Sequence, residues 1–338
     1  MSDLLDHAIK EKYNSMKIND PLIFVKNAID WDAFTPLLND LYHNDTDNGG
    51  RPNIPVKTMV KVLFLQSMFN MVDEQAETLI KDRISFMNFL DYPDQYPDAR
   101  TIWLFRERLS KTGRDRIIWN ELQRQLELKG IKVKKGSAQD ATFITSDPGH
   151  VKHEETRSEG KTRRSRDGSF TKKNSKTFFG YKGHTIVDDN IPVPMIRSYA
   201  VSTAKDHDTT IDLSKRGITV YRDRGYFGHD PRGIDGTMDR SVRNHKLSIE
   251  SVRRNLRISR KRSLVKYPYA IMKRVFHFSH VMVTLICRVR VKFMFACFGY
   301  NLHALRITQG LRELSIFQRN IRETFRNRSG KWWDSLIF

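Results

Sequence analysis

The chain has 338 residues, enough for about two domains at roughly 150 residues each. Apolar residues make up 39% and aromatics 11%, which sustains a packed core, and 18 Gly with 11 Pro exclude collagen-like and proline-rich architectures. Lys and Arg number 59 against 39 Asp and Glu, a formal net charge of +20 that favours a polyanionic partner.

The opening stretch MSDLLDHAIKEKYNS carries acids and lacks the apolar run of a signal peptide. Residues 1–50 read as an N-terminal arm with one short helix, followed by the polar stretch HNDTDNGGRPN. From Pro55 the period turns helical. VKTMVKVLFLQSMF, EQAETLIKDRISFMNFL and PDARTIWLFRERLSKTG predict a helical domain of three or four short helices over 51–135. Asp98 or Thr101 is the expected N-cap of the third run and Gly113 its terminator. A helix-turn-helix and plain helical packing both satisfy this pattern.

Near Gly136 the period changes. GSAQDATFITSD, TFFGYKGHTIVDD, PVPMIRSYAVSTA and GITVYRDRG are β-branched or aromatic runs bounded by Gly, Pro and Asp, so they predict strands. Between the first two, Val151–Lys176 holds nine Lys/Arg and four Asp/Glu with few apolar residues. It reads as a long basic loop that is disordered without a partner. Arg240–Arg274 carries twelve Lys/Arg against one acid, Glu250, so these 35 positions hold more than half of the excess charge. In VMVTLICRVRVKFMFACF, the cations Arg288, Arg290 and Lys292 break up what would otherwise approach the ~20 apolar residues of a membrane span. The segment is expected to be a core element with its charges on one face. Residues 306–338 read as a basic, aromatic helical appendage. Cys287 and Cys297 are too few for a disulfide framework or a four-cysteine zinc site, and read as reduced thiols of a cytoplasmic protein.

The chemistry concentrates where charge is out of place. Arg253, Arg254, Arg257, Arg260, Lys261 and Arg262 have almost no acids among them, and such a run repels itself unless phosphates compensate it. Asp140 sits inside a strand-like run, and Asp223 ends another just before Gly225. An aspartate there is costly unless a cation or hydrogen bonds satisfy it. Two such acids meeting on adjacent strands would make a hard oxygen site suited to Mg²⁺ or Mn²⁺, whereas separately each could simply cap a turn. Asp206-His207-Asp208 has ligand-type residues, but helix capping explains it more simply. His150 and His153 lack a partner pair for zinc. Lys176, Lys182 and His184 share one face of a strand that could track DNA, with Phe179 and Tyr181 packing on the other.

Taken in order from about residue 50 to 306, several stretches are together similar to the DDE-class insertion-sequence transposases, the insertion-sequence-five type above all. They are GRPNIPVKTMVKVLF, PDARTIWLFRERL, QDATFITSDPGH, KTFFGYKGHTIVD, TAKDHDTTIDL, YRDRGYFG, RISRKRSLVKYPYAIMKRVFHF and FGYNLHALR. The resemblance implies an α/β chain: an N-terminal all-α domain (51–135) binding the terminal repeats, then a ribonuclease-H-like catalytic domain (136–305) whose mixed sheet is flanked by helices. It implies metal-dependent cleavage at element ends and joining of the freed 3′ hydroxyl to target DNA. The expected cofactor is two Mg²⁺ or Mn²⁺ ions, and the expected partners are double-stranded DNA (terminal inverted repeats and target) and further copies of the chain. The setting is the prokaryotic cytoplasm and nucleoid, with no membrane. On this resemblance Asp140 is the first catalytic carboxylate and Asp223 the second, and both are expected metal ligands.

The third carboxylate is where this chain departs. The family pattern is Arg, three residues, Glu, six residues, Lys, with a Tyr three positions ahead of the Arg. Here Arg262 and Lys273 are present, Lys266 stands in the Glu position and Ser259 in that of the Tyr. Lys266 places an ammonium where a divalent cation belongs and opposes the dipole of a helix starting near Pro268. A degenerate, inactive copy, replacement by another acid (Glu250 being nearest) and an altered sequence are the three explanations. Arg262, Lys273, Arg260, Lys261, Arg257 and Lys182 are the expected DNA contacts.

Overall fold

The structure, a computed structural model, describes residues 2–16, 20–42, 52–131, 136–148, 165–173, 175–188, 193–241 and 246–333. The chain builds a layer of helices first, then a mixed sheet, and closes with a helix that packs on both. The helical layer comprises α1 (Ser2–Ser15), α2 (Pro21–Ala28), α3 (Thr35–Leu38), α4 (Val56–Met68), α5 (Asp73–Asp82), α6 (Ile84–Phe89), α7 (Ala99–Thr112) and α8 (Asp115–Leu128). Five helices therefore occupy 51–135 where three or four were expected.

Two starts have a clear local cause. The Asp20 carboxylate accepts the Leu22 N–H at 2.8 Å with Pro21 at the first helical position of α2, and Asp98 accepts the Thr101 N–H at 2.7 Å ahead of α7. Gly113 ends α7 in the left-handed conformation, φ 68°. Helix α4 is buried on every side from Thr58 through Ser67, which makes it the centre of the layer. The sheath around it includes residues from the expected N-terminal arm. Leu22, Val25, Trp31, Phe34 and Leu38 belong to the same core as residues 54–131, so the expected boundary at residue 50 does not divide the packing. Apolar residues that regular in a segment of α-helices and 3₁₀ turns cannot be left in water.

The sheet is built from β1 (Gly136–Ser146), β2 (Ser169–Lys173), β3 (Lys176–Asp188), β4 (Ile196–Thr203), β5 (Thr219–Arg222), β6 (Ile234–Thr237) and β7 (His280–Val281). Strands β1, β3 and β4 form an antiparallel meander. On the other side of β1, β5 and then β6 run parallel to it. The short strands β2 and β7 extend β3 and β1. Strand β2 corrects the expectation of a loop throughout 151–176, because the unpaired edge of β3 offers a ladder even to the polar run SFTKK. Residues 151–164 and 174 of that stretch lie outside the described residues.

Two helices follow the sheet, α9 (Ile249–Arg262) and α10 (Lys266–Arg274), joined by a single 3₁₀ turn. The last, α11 (Ile286–Trp333), crosses residues 305 and 306 without a break, so the expected appendage is a continuation of a core helix. Its buried residues Val289, Phe293, Phe298 and Leu302 join the one core that the helical layer and the sheet share, and Phe298 meets the rings of Trp31, Phe34 and Phe64 at 5.6–6.1 Å. The cations of this helix do not share one face. Arg290 lies about 200° around the helix from Arg288, and the two pair with different helices: Arg288 with Glu107 and Arg290 with Asp115. Among the described residues no helix is long and apolar enough to cross a membrane.

Candidate active site

Asp140 lies in the interior of β1. Alternation along the strand sends its neighbour Gln139 to the opposite face, where that side chain is fully buried, donates to the Ile211 carbonyl at 2.6 Å and accepts the Leu213 N–H at 3.0 Å. Asp223 follows β5 directly, and its carboxylate accepts the Gly225 N–H at 2.8 Å, so it caps the turn Arg224–Tyr226. The strand register joins the two. Ala138 is paired with Tyr221 in the parallel β1–β5 ladder, and two further steps along each chain reach Asp140 and Asp223.

A single cation sits on both acids. Arg262, in the last turn of α9, donates from one Nη2 to Asp140 Oδ2 at 3.3 Å and to Asp223 Oδ2 at 3.2 Å. The two oxygens therefore lie no farther apart than these contacts laid end to end. Arg262 reaches them because α9 and α10 are tied to the sheet. Ile258 and Val265 are buried, and the Tyr269 hydroxyl donates to the Asp140 carbonyl at 2.7 Å while accepting from Thr185 Oγ1 at 2.8 Å. Burial raises the Asp140 carboxyl above its usual range, and the Arg262 charge draws it back. Burial also pushes the Tyr269 hydroxyl far above its ordinary pKa, so it is a fixed hydrogen-bond donor at neutral pH.

Lys266 is the first residue of α10, exposed to solvent, four positions beyond Arg262. Among the described residues no group of three or more His, Cys, Asp or Glu is placed to hold a metal ion. Glu250 does not fill the gap. It is exposed in the first turn of α9, twelve residues and so about 18 Å of helix from Arg262.

The other expected site residues fall into two groups. Arg257 and Arg260 are exposed along α9 and line an open groove of about 810 Å³ with Arg253, Arg254 and Leu256. Lys261 is exposed beside them and Lys273 is partly buried on α10. Lys182 and Arg262, in contrast, are turned inward. Lys182 Nζ donates to the Asp206 carbonyl at 2.6 Å and pairs with Asp208 at 2.8 Å, with its side chain only 12% exposed. Lys182 is among the expected DNA contacts; here its charge is paired with Asp208. Arg262, also among the expected DNA contacts, stands on the two carboxylates. Asp206, His207 and Asp208 do serve local structure: His207 caps the turn Asp208–Thr210, and Asp206 accepts the Thr203 N–H at 2.9 Å. His150 and His153 lie outside the described residues.

Sequence reasoning did not single out Tyr269 or Thr185, which position β1 against α10. Tyr269 does fall in the family-like stretch RSLVKYPYAIMKR, and an aromatic hydroxyl among apolar helix positions was the available signal.

No solved structure matches this chain. Residues 11–108, from α1 into α7, match the model of a family described as a transposase domain (DUF772), which supports a transposase family for the chain.

Proposed function

We propose that the chain is a DDE-type insertion-sequence transposase of the insertion-sequence-five-like group, whose catalytic function is impaired by Lys266. The observation that carries this reading is the meeting of Asp140 and Asp223 on one guanidinium at the ends of adjacent parallel strands. The sheet supports it, since an antiparallel meander of three strands followed by two parallel ones is the order of a ribonuclease-H-like fold. The transposase-domain match over 11–108 supports it independently, on a different part of the chain.

The donor set fits a divalent ion in its chemistry. Two hard carboxylates already share a positive group, as Mg²⁺ or Mn²⁺ requires. Asp140 and Asp223 would hold the ion, which when bound supplies Lewis acidity toward a phosphoryl oxygen. The chain's own groups do the rest. Tyr269 and Thr185 fix β1 beneath Asp140, and Arg253, Arg257 and Arg260 present a cationic groove to the DNA backbone. Two element ends must be cut together, so the acting species is an oligomer. In the family pattern Lys266 stands where the third carboxylate belongs, so the pair lacks that ligand and cation binding is weaker.

A second reading is a catalytically inactive DNA-binding relic that occupies element ends. It is favoured by the lack of a third carboxylate among the described residues. Cleavage of labelled terminal-repeat duplex in Mn²⁺ separates the two. Weak or no cutting by the wild type, restored by Lys266→Glu and lost again in Asp140→Asn/Lys266→Glu, supports the transposase. Binding without cutting by every variant supports the relic, and cutting that survives Asp140→Asn overturns the assignment of the site.

A further inference from the structure

The Asp140–Asp223 pair is held together by a residue that the catalytic reading leaves without a role. One Nη2 of Arg262 makes both contacts, at 3.3 and 3.2 Å. Each is longer than the 2.7–2.9 Å of a strong charge-assisted bond, so the guanidinium is divided between the acids rather than committed to either. Its Nε is buried without a hydrogen-bond partner. The side chain is 18% exposed, and those of Asp140 and Asp223 are 16% and 37% exposed.

We propose that Arg262 is the resident cation of the Asp140–Asp223 pair, and that a divalent ion can enter only as the guanidinium withdraws. This rests on reading the two aspartates as metal ligands. The charge balance makes the case. Two carboxylates and one guanidinium leave the pair at −1, so the protein is electrostatically stable without metal. Adding a divalent ion with Arg262 in place would bring the cluster to +1 in a half-buried pocket, with the Lys266 ammonium four residues away on the same segment. Removing Arg262 alone would leave two carboxylates facing each other, which favours protonation of one or capture of a cation. Arg262 and the metal therefore compete for the same oxygens. Because Arg262 ends α9 and the 3₁₀ turn Ser263–Val265 leads directly into α10, its withdrawal is coupled to that junction. The cation that holds the site together in the absence of metal also sets a lower affinity for the metal.

The test is Mn²⁺ binding to the full chain without DNA, read by electron paramagnetic resonance of free Mn²⁺ and by melting temperature with and without Mn²⁺. The variants are Arg262→Gln, Arg262→Ala, Arg262→Lys and Asp140→Asn/Asp223→Asn. Arg262→Gln and Arg262→Ala should melt lower than wild type without metal, bind Mn²⁺ at least fivefold more tightly and gain more in melting temperature when Mn²⁺ is added. Arg262→Lys keeps a cation and should stay within twofold of wild type, which provides a folded control. If Asp140→Asn/Asp223→Asn abolishes Mn²⁺ binding but the Arg262 variants bind no more tightly than wild type, the resident-cation role is wrong and the metal-ligand reading stands. If the Arg262 variants and wild type bind Mn²⁺ no better than the double aspartate variant, both are wrong.

Discussion

Arg288 and Glu107, 181 positions apart, form a two-pronged ion pair between α11 and α7, with Nε to Oε2 at 2.6 Å and Nη2 to Oε1 at 3.0 Å. The Glu107 side chain is 8% exposed, and the hydrogen bonds from Arg288 hold its carboxyl below the usual range. Removing Arg288 leaves this nearly buried carboxylate with only the exposed Lys111 ammonium, 3.6 Å away. Arg288→Met should therefore cost about 1–3 kcal/mol in urea unfolding, less than for a fully uncompensated buried charge, and Arg288→Met/Glu107→Met should recover most of it. A double variant as unstable as the single one would show that the pair does not carry the contact.

His184 gives the fold a built-in acid sensitivity. It is fully buried in β3, its Nε2 is 2.8 Å from Ser202 Oγ, and its Nδ1 is buried without a partner. Burial pushes its pKa from 6.5 down to about 4. The unfolded chain thus takes up a proton near pH 6.5 that the folded chain refuses until about pH 4. Stability is complete above this window and falls as pH drops through it, by about 3 kcal/mol for such a shift. Denaturation midpoints at pH 7.0 and 4.5 should separate further for wild type than for His184→Gln. Equal separation would remove His184 as the cause.

Gly183 lets α11 approach the sheet. A Cβ at this position would lie 2.5–2.9 Å from the Phe293 ring, which is itself fully buried and lined by the rings of Tyr199 and Phe278. The ring has nowhere to move, so Gly183→Ala should destabilise by about 1–3 kcal/mol. Adding Phe293→Leu should recover part of that loss, and the same change alone in wild type should destabilise. Additive losses in the pair would locate the strain elsewhere.

The exposed cations of α9 should report themselves through salt. If Arg257 and Arg260 each neutralise one phosphate, Arg257→Ala/Arg260→Ala should make the slope of log K against log salt shallower by about 2 for duplex DNA. An unchanged slope would place the DNA on another surface.

The strands were legible where β-branched residues ran between Gly, Pro and Asp, as in GITVYRDRG and KTFFGYKGHTIVDD, because strand formation there is a local preference. The Asp98 cap and the Gly113 stop were legible for the same reason. Strand β2 was not, since SFTKK has little strand character of its own and pairs because β3 offers it an edge. Trp31 and Phe34 read as part of an arm because nothing local says that Phe64 and Phe298 will surround them. At the site, the two aspartates stood out as acids misplaced in strands. Arg262 read as a phosphate contact because its neighbours are basic in sequence. Its actual partners are 122 and 39 residues away, and only the parallel register of β1 and β5 brings them together.

The reach of α11 into the helical layer has a consequence for biosynthesis. Helices α2–α8 leave the ribosome with an incomplete interior, since Phe298 packs among Trp31, Phe34 and Phe64 and is translated more than 150 residues after Ile131. At about 5–20 residues per second, the nascent chain waits roughly 10–30 s with an oily cleft uncovered. A chain stopped between Ile131 and Ile286 would carry that cleft permanently uncovered.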